Sequence, residues 1–182
     1  DTTVYAKWIE KTDLGFTDVA DNSPFRAAIG WAVKEGITNG TSATTFSPGN
    51  TCTTAQILTF LWRANGSPNS NAACPASDVA ETSPFYKALC WANEKDLMTK
   101  GSGSTPCTRA AAVTYLWKLA ESPKMSVNSS FTDVPASADF AQAVAWAVEQ
   151  GVTNGVSASE FAPDSTCTRG QIVTFLYRNL LD

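Results

Sequence analysis

Histidine is absent from this chain, charged residues are scarce and lysine and arginine never cluster. Without histidine the Ser-His-Asp and Cys-His nucleophile systems cannot be built, and His-ligated metal sites are excluded. Charged side chains make up 16% of the 182 residues, 13 basic against 17 acidic, for a net charge of −4. A protein that grips phosphates needs grouped cations, so nucleic acid is excluded as the main partner. No apolar stretch approaches the ~20 residues of a membrane span, so membrane insertion is not expected. The five cysteines, Cys52, Cys74, Cys90, Cys107 and Cys167, include no C-x-x-C pair. That spacing gives no zinc pattern, and neither a metal nor a cofactor is expected. No signal peptide is visible, and the chain opens at Asp1, which reads as a fragment or a mature product. Hydrophobic content is nevertheless 43%, enough for a folded core.

An internal repeat dominates what is present. Residues 16–63 aligned on 131–178 without a gap give 26 identities in 48 positions. Phe16-Thr17-Asp18-Val19 meets Phe131-Thr132-Asp133-Val134, Trp31 meets Trp146, Phe46 meets Phe161, and Cys52 meets Cys167. A degenerate copy lies between them. Asp78 and Trp91 stand 60 residues after Asp18 and Trp31, whereas Cys107 stands 55 after Cys52. The middle copy has therefore lost five residues, and the Phe-x-Pro step of its neighbours with them. The division is a first repeat over 15–66, a shortened second over 75–121 and a third over 130–182. Ser/Asn/Pro-rich linkers separate them, and 1–14 is an N-terminal extension.

Each repeat reads as two helices. In the first, Ser23 is the expected N-cap and Pro24 the first helical residue, followed by Phe25, Ala28, Ile29, Ala32 and Val33 at helical spacing. Gly36 sits where a helix stops. After Thr38-Asn39-Gly40 or Thr153-Asn154-Gly155 an irregular loop leads to the second helix. That helix opens on Thr53-x-x-Gln56 or Thr168-x-x-Gln171, each a capping box. The middle copy keeps Thr108 but has Ala111 in the Gln place. A pair of helices this short cannot bury its apolar face alone. The expected fold is mainly α: three tandem two-helix repeats around one shared core in a pseudo-threefold arrangement, with a linear solenoid as the alternative. Val4-Tyr5-Ala6-Lys7-Trp8 alternates like a strand.

The candidate binding residues follow from position. Arg109 and Arg169 come directly after the N-cap Thr, where a cation opposes the helix dipole by about 0.3–1 kcal/mol. Such an arginine is either solvated or present to hold an anion beside the free N–H groups of the helix start. The first copy has Thr54 there. Trp31, Trp91 and Trp146 recur off the apolar stripe, and either pack on the neighbouring repeat or wall a groove on which a sugar face stacks. Trp62, Trp117 and Tyr177 read as core or interface. Asp18, Asp78 and Asp133 read as local cap or turn bonds rather than ligand contacts. Cys52, Cys107 and Cys167, each before an N-cap Thr, read as apolar plugs. Cys74 and Cys90 occur in the middle copy alone, and one of them could pair with Cys107 if geometry allows.

Phe-x-Asp-Val, an amphipathic helix with Trp-Ala, Gly-(Ile/Val)-Thr-x-Gly, Phe-x-Pro and Thr-Arg-(Ala/Gly)-Gln opening a second helix together resemble the S-layer homology (SLH) repeat. Three such copies cover nearly the whole chain, the first and third closely. The resemblance implies a non-catalytic module that anchors a bacterial surface protein to the cell wall, extracellular and at a Gram-positive-type surface. It implies a C-terminal anchor cut from a longer protein, with the strand-like N-terminal segment as the end of a preceding surface repeat. Its fold would be a pseudo-threefold trimer of helical repeats within one monomer. Its partner would be a secondary cell-wall polysaccharide carrying pyruvylated N-acetylmannosamine, bound in grooves between repeats. Carried over residue by residue, the groove arginine falls on Arg109 and Arg169, and Gln171 stands where the family often has Glu. An indole of Trp31, Trp91 or Trp146 would meet the sugar, and the loop N–H groups around Gly40 and Gly155 its hydroxyls. Asp18, Asp78, Asp133, Thr53, Thr108 and Thr168 would be structural. Thr54, and the missing Phe-x-Pro loop of the middle copy with Asp96 and Lys100 in place of Gly36 and Gly40, imply that only one or two grooves are competent. The alternatives are a structural or protein-interaction repeat without a glycan ligand and, more remotely, a carboxylate hydrolase built on the repeated aspartates.

Overall fold

A computed structural model of the chain describes residues 14–127 and 130–181, and the strand-like segment read at 4–8 lies outside them. Six helices form among the described residues: α1 Arg26–Lys34, α2 Thr54–Ala64, α3 Tyr86–Glu94, α4 Arg109–Leu119, α5 Ala141–Glu149 and α6 Arg169–Leu181. Among the described residues strand pairing is limited to isolated bridges.

The first helix of each pair starts later than the sequence suggests. Phe25, Phe85 and Phe140 are the capping positions, each without a side-chain cap. Ser23 instead accepts the Phe25 N–H at 3.3 Å, and Ser83 accepts that of Phe85 at 3.2 Å. The serine closes a turn ahead of the helix, because Ser-Pro fixes the entry geometry without committing the chain to helical bonding. Gly36 and Gly151 follow the helix ends at φ +70° and +69°, and Ile37 N–H reaches back to Ala32 O at 2.8 Å. Asp96 takes the same left-handed turn at φ +54° without being glycine.

The second helices are capped through their own sequence. Thr53 Oγ1 accepts from Gln56 N–H at 3.3 Å while Gln56 Oε1 accepts from Thr53 N–H at 2.9 Å. Thr168 and Gln171 repeat this at 3.3 and 3.1 Å. Thr108 accepts from Ala111 N–H at 3.1 Å, half of a box. A cation on each second helix then ties it to the end of the first. Arg63 donates to Ile37 O at 3.0 Å, Arg178 to Val152 O at 3.3 Å and Lys118 to Asp96 O at 2.5 Å.

Between pairs, α3 packs on α2, α5 on α4, and α1 on α6, so each first helix covers the second helix of another pair and the set closes on itself. At its centre Cys107 N–H donates to Cys52 O at 2.9 Å, Cys167 N–H to Cys107 O at 2.8 Å and Cys52 N–H to Cys167 O at 2.9 Å. These three bonds form a closed ring of main chain. Around it lies the common core of Ile29, Phe46, Ile57, Leu61, Leu89, Val113, Leu116, Val144, Phe161 and Ile172.

Candidate functional site

The three cysteines of the ring are buried free thiols. Burial pushes the Cys52 thiol up to about 11 and that of Cys107 to about 12, and raises Cys167 as well. Cys107 therefore sits with Cys52 and Cys167. The main-chain bonds of Cys107 run to Cys52 and Cys167, whereas Cys90 lies within electrostatic reach of Cys74.

The aspartates bind over a long range rather than locally. Asp18 accepts the N–H groups of Phe46 at 2.8 Å and Ser47 at 2.7 Å, and Asp133 those of Phe161 at 2.9 Å and Ala162 at 2.7 Å. Asp78 accepts Gly103 N–H at 2.7 Å and Ser104 N–H at 3.0 Å, and the hydroxyls of Ser102 and Ser104 at 2.6 and 2.7 Å. Ser47 and Ala162 carry φ +59° and +58°. The carboxylate pins a strained turn about 28 residues downstream, a span that no local turn bond covers. Desolvation alone would raise the pKa of Asp18 and Asp133. The backbone donors, with the charges of Arg169 and Arg109 respectively, outweigh it and hold both below the ordinary carboxylate value. The hydroxyls of Ser102 and Ser104 lead the same effect at Asp78, which lies lower still.

Those pinned turns carry Phe46 and Phe161, and the arginines stack on them. Arg169, on α6, lies 4.7 Å from the Phe46 ring centroid and 5.5 Å from that of Phe60, and its Nε donates to Phe46 O at 2.9 Å. Arg109, on α4, lies 4.8 Å from Phe161 and 5.6 Å from Phe175, with Nε on Phe161 O at 2.9 Å. Both guanidiniums occupy seams between helix pairs, yet neither is solvated: Arg109 is 3% and Arg169 7% exposed. Burial pulls both pKa values down from the ordinary arginine value, and Asp133 and Asp18 are among the groups that hold them up. The two differ in one donor. Arg169 Nη2 meets Thr38 Oγ1 at 3.2 Å, whereas Arg109 Nη2 is buried with no hydrogen-bond partner among the described residues.

The glycines complete the stack from behind. A Cβ on Gly40 would fall 2.8 Å from the Phe16 ring and 2.6 Å from Thr45 O; on Gly155 it would fall 2.5 Å from Phe131 and 2.7 Å from Glu160 O. Phe16 lies 5.6 Å from Phe46, and Phe131 lies 5.9 Å from Phe161. Each of these two seams is thus a column of glycine, phenylalanine, phenylalanine and arginine. The N–H of Gly155 already donates to Thr153 Oγ1 at 3.2 Å, so it is not free for a sugar hydroxyl.

The remaining candidates divide. Trp91 is 1% exposed and Trp146 is buried, so neither offers a face for stacking, and the packing alternative holds for both. Trp31 is half-buried, edge-on to Tyr177 of α6 at 5.7 Å and 64°. Gln171 spends its Oε1 on the cap of α6. At the remaining seam Thr54 donates its hydroxyl and N–H to Thr105 O at 3.1 and 2.8 Å, with Gly103 in the turn opposite. Sequence reading had no signal for Phe60, Phe175 or Thr38 as partners of the arginines, since each lies on a different part of the chain. It also did not single out Lys95 and Lys118, which with Trp91, Asn65 and Glu94 line a cavity of about 380 Å³.

Two stretches of the chain, 15–57 and 130–173, match the S-layer homology domain family. They hold α1 with the start of α2, and α5 with the start of α6. No curated protein matches the chain. S-layer homology domains are in general anchoring modules of the cell wall and cell surface that bind wall polysaccharide, and they are not catalytic. The mainly helical architecture agrees with that family's fold. No described helix is long and apolar enough to cross a membrane.

Proposed function

We propose that the chain is a non-catalytic wall anchor, a monomer of three repeats about an approximate threefold axis, that holds an acidic secondary cell-wall polysaccharide at a seam between repeats. Pyruvylated N-acetylmannosamine is the sugar that fits best, since its ketal offers a carboxylate for a guanidinium and a methyl for an aromatic wall. The supporting observation is the inequality of the two arginines. Arg169 is satisfied by protein, whereas Arg109 keeps a buried donor in hand at the seam between the second and third pairs. A buried donor without an acceptor is costly, and a ligand carboxylate would relieve that cost through a charge-assisted bond of about 1.5–3 kcal/mol. Access requires the Phe161–Pro163 turn over the guanidinium to shift. On this reading a single seam does the binding, and the glycan of a Gram-positive-type wall is the partner.

Sedimentation with purified cell walls tests this. Wild type should bind intact walls and fail to bind walls stripped of polysaccharide by acid. Arg109→Met should weaken binding roughly 10- to 150-fold, while Arg169→Met, assayed where it is folded, should bind as wild type. Unchanged binding by Arg109→Met removes the arginine from the site. Retention on stripped walls favours the second reading, a structural or interaction module without a glycan. The sandwiching of both guanidiniums between rings supports that second reading.

A further inference from the structure

The middle pair carries two cysteines that its neighbours lack, and the fold brings them together. Sixty residues earlier, Cys74 and Cys90 correspond to Leu14 and Gly30. In the first pair those positions touch: a Cβ on Gly30 would lie 3.1 Å from Leu14 Cδ2. In the middle pair the equivalent positions both carry sulfur-bearing side chains. The linker holding Cys74 is laid along α3 by bonds on both sides of it. Ser70 Oγ donates to the carbonyl of Cys90 itself at 3.2 Å, and Asn93 Nδ2 donates to Ala73 O at 2.9 Å. Gly101 N–H reaches Pro75 O at 3.2 Å, which fixes the residue after Cys74 as well. Each thiol also lies within electrostatic reach of the other, and of the Tyr86 hydroxyl. Cys74 is half-buried and lines an open pocket of about 450 Å³ with Pro75, Ser77, Lys100 and Ser102, whereas Cys90 is buried.

We infer that Cys74 and Cys90 are a disulfide-forming pair that staples the inter-repeat linker to α3 once the protein meets an oxidising thiol–disulfide environment. The oxidant is a disulfide, small or protein-borne. The Cys74 thiolate attacks one of its sulfurs and expels the first thiol. The Cys90 thiolate then attacks the Cys74 sulfur of the mixed disulfide and expels the second. Two protein thiols lose two protons and two electrons, one S–S bond forms, and the oxidant is reduced to two thiols. Cys74 is the attacking residue because the pocket exposes it. Cys52, Cys107 and Cys167 stay reduced because they are buried at the main-chain ring. The bond closes a loop of about 15 residues and so removes conformational freedom from the unfolded chain, which predicts a Tm increase of roughly 6–12 °C on oxidation.

The test is to incubate the protein with glutathione disulfide, alkylate the remaining thiols, and map the peptides by mass spectrometry. The expected product has one Cys74–Cys90 linked peptide, three alkylated cysteines and the rise in Tm. Five alkylated cysteines, a stable glutathione adduct on Cys74, or a link from either residue to Cys107 would overturn the inference. Cys74→Leu restores the Leu14 packing and keeps the fold measurable. Its Tm should not respond to the oxidant, and a response as large as that of wild type would equally defeat the assignment.

Discussion

Removing one guanidinium from its column tests how the seams hold the repeats together. Arg169→Met keeps most of the apolar stem and deletes the charge. The variant loses the Nε bond to Phe46 O at 2.9 Å, about 1.5–3 kcal/mol for a charged donor. It also loses cation–π contact with rings at 4.7 and 5.5 Å, about 1–2 kcal/mol for a desolvated pair of rings. Against this stands the relief of desolvating a cation, so the net expectation is a loss of about 2–3 kcal/mol. For a chain of this size that lowers Tm by roughly 4–12 °C. The informative measurement is a double-mutant cycle with Phe46→Leu, followed by urea unfolding with the slope monitored for two-state behaviour. Arg169 and Phe46 should couple by about 1–2 kcal/mol. Thr54→Arg supplies the control: it introduces a cation where Gly103 offers no ring and where the Thr54–Thr105 bond must break, so it should destabilise by about 1–3 kcal/mol. A coupling below about 0.3 kcal/mol, or a stabilising Thr54→Arg, would show that the column is not what joins the repeats.

The pinned turns predict an acid response. The folded pKa values of Asp18, Asp78 and Asp133 lie below the unfolded value near 3.9, so their contribution is complete above about pH 4 and is lost as pH falls through the folded values. The urea midpoint should drop between pH 5 and 2, with a shallower slope in Asp18→Asn/Asp133→Asn; an unaltered slope in that variant would assign the acid sensitivity to other groups. Gly155→Ala should cost about 2–4 kcal/mol, since φ +82° and a Cβ 2.5 Å from Phe131 act together, while Gly49→Ala, with nothing within 4 Å, stays within about 0.5 kcal/mol in the same titration.

The sequence by itself determined the local chemistry of this protein. Thr53, Thr108 and Thr168 cap helices because each hydroxyl meets an amide three residues on, and Gly36 and Gly151 end helices because the chain turns left-handed there. Such bonds span a few residues, so spacing encodes them. The helix of the first copy starts at Phe25 and not at Ser23, because a Ser-Pro turn and a first helical turn share the same residues. Tertiary structure alone decided what faces what. Phe161 O meets Arg109 across 52 residues, and Phe46 O meets Arg169 across 123. Nothing local records such a pairing. Thr54 for arginine in the first copy, and Gly103 in the turn for phenylalanine, Ala76 for Phe16 and Lys100 for Gly40 in the degenerate copy, look unrelated along the chain. In space they are the four members of one missing column at one seam. Each ring, cation and glycine has value only when the others fill the space beside it, so a seam that loses one gains nothing by keeping the rest.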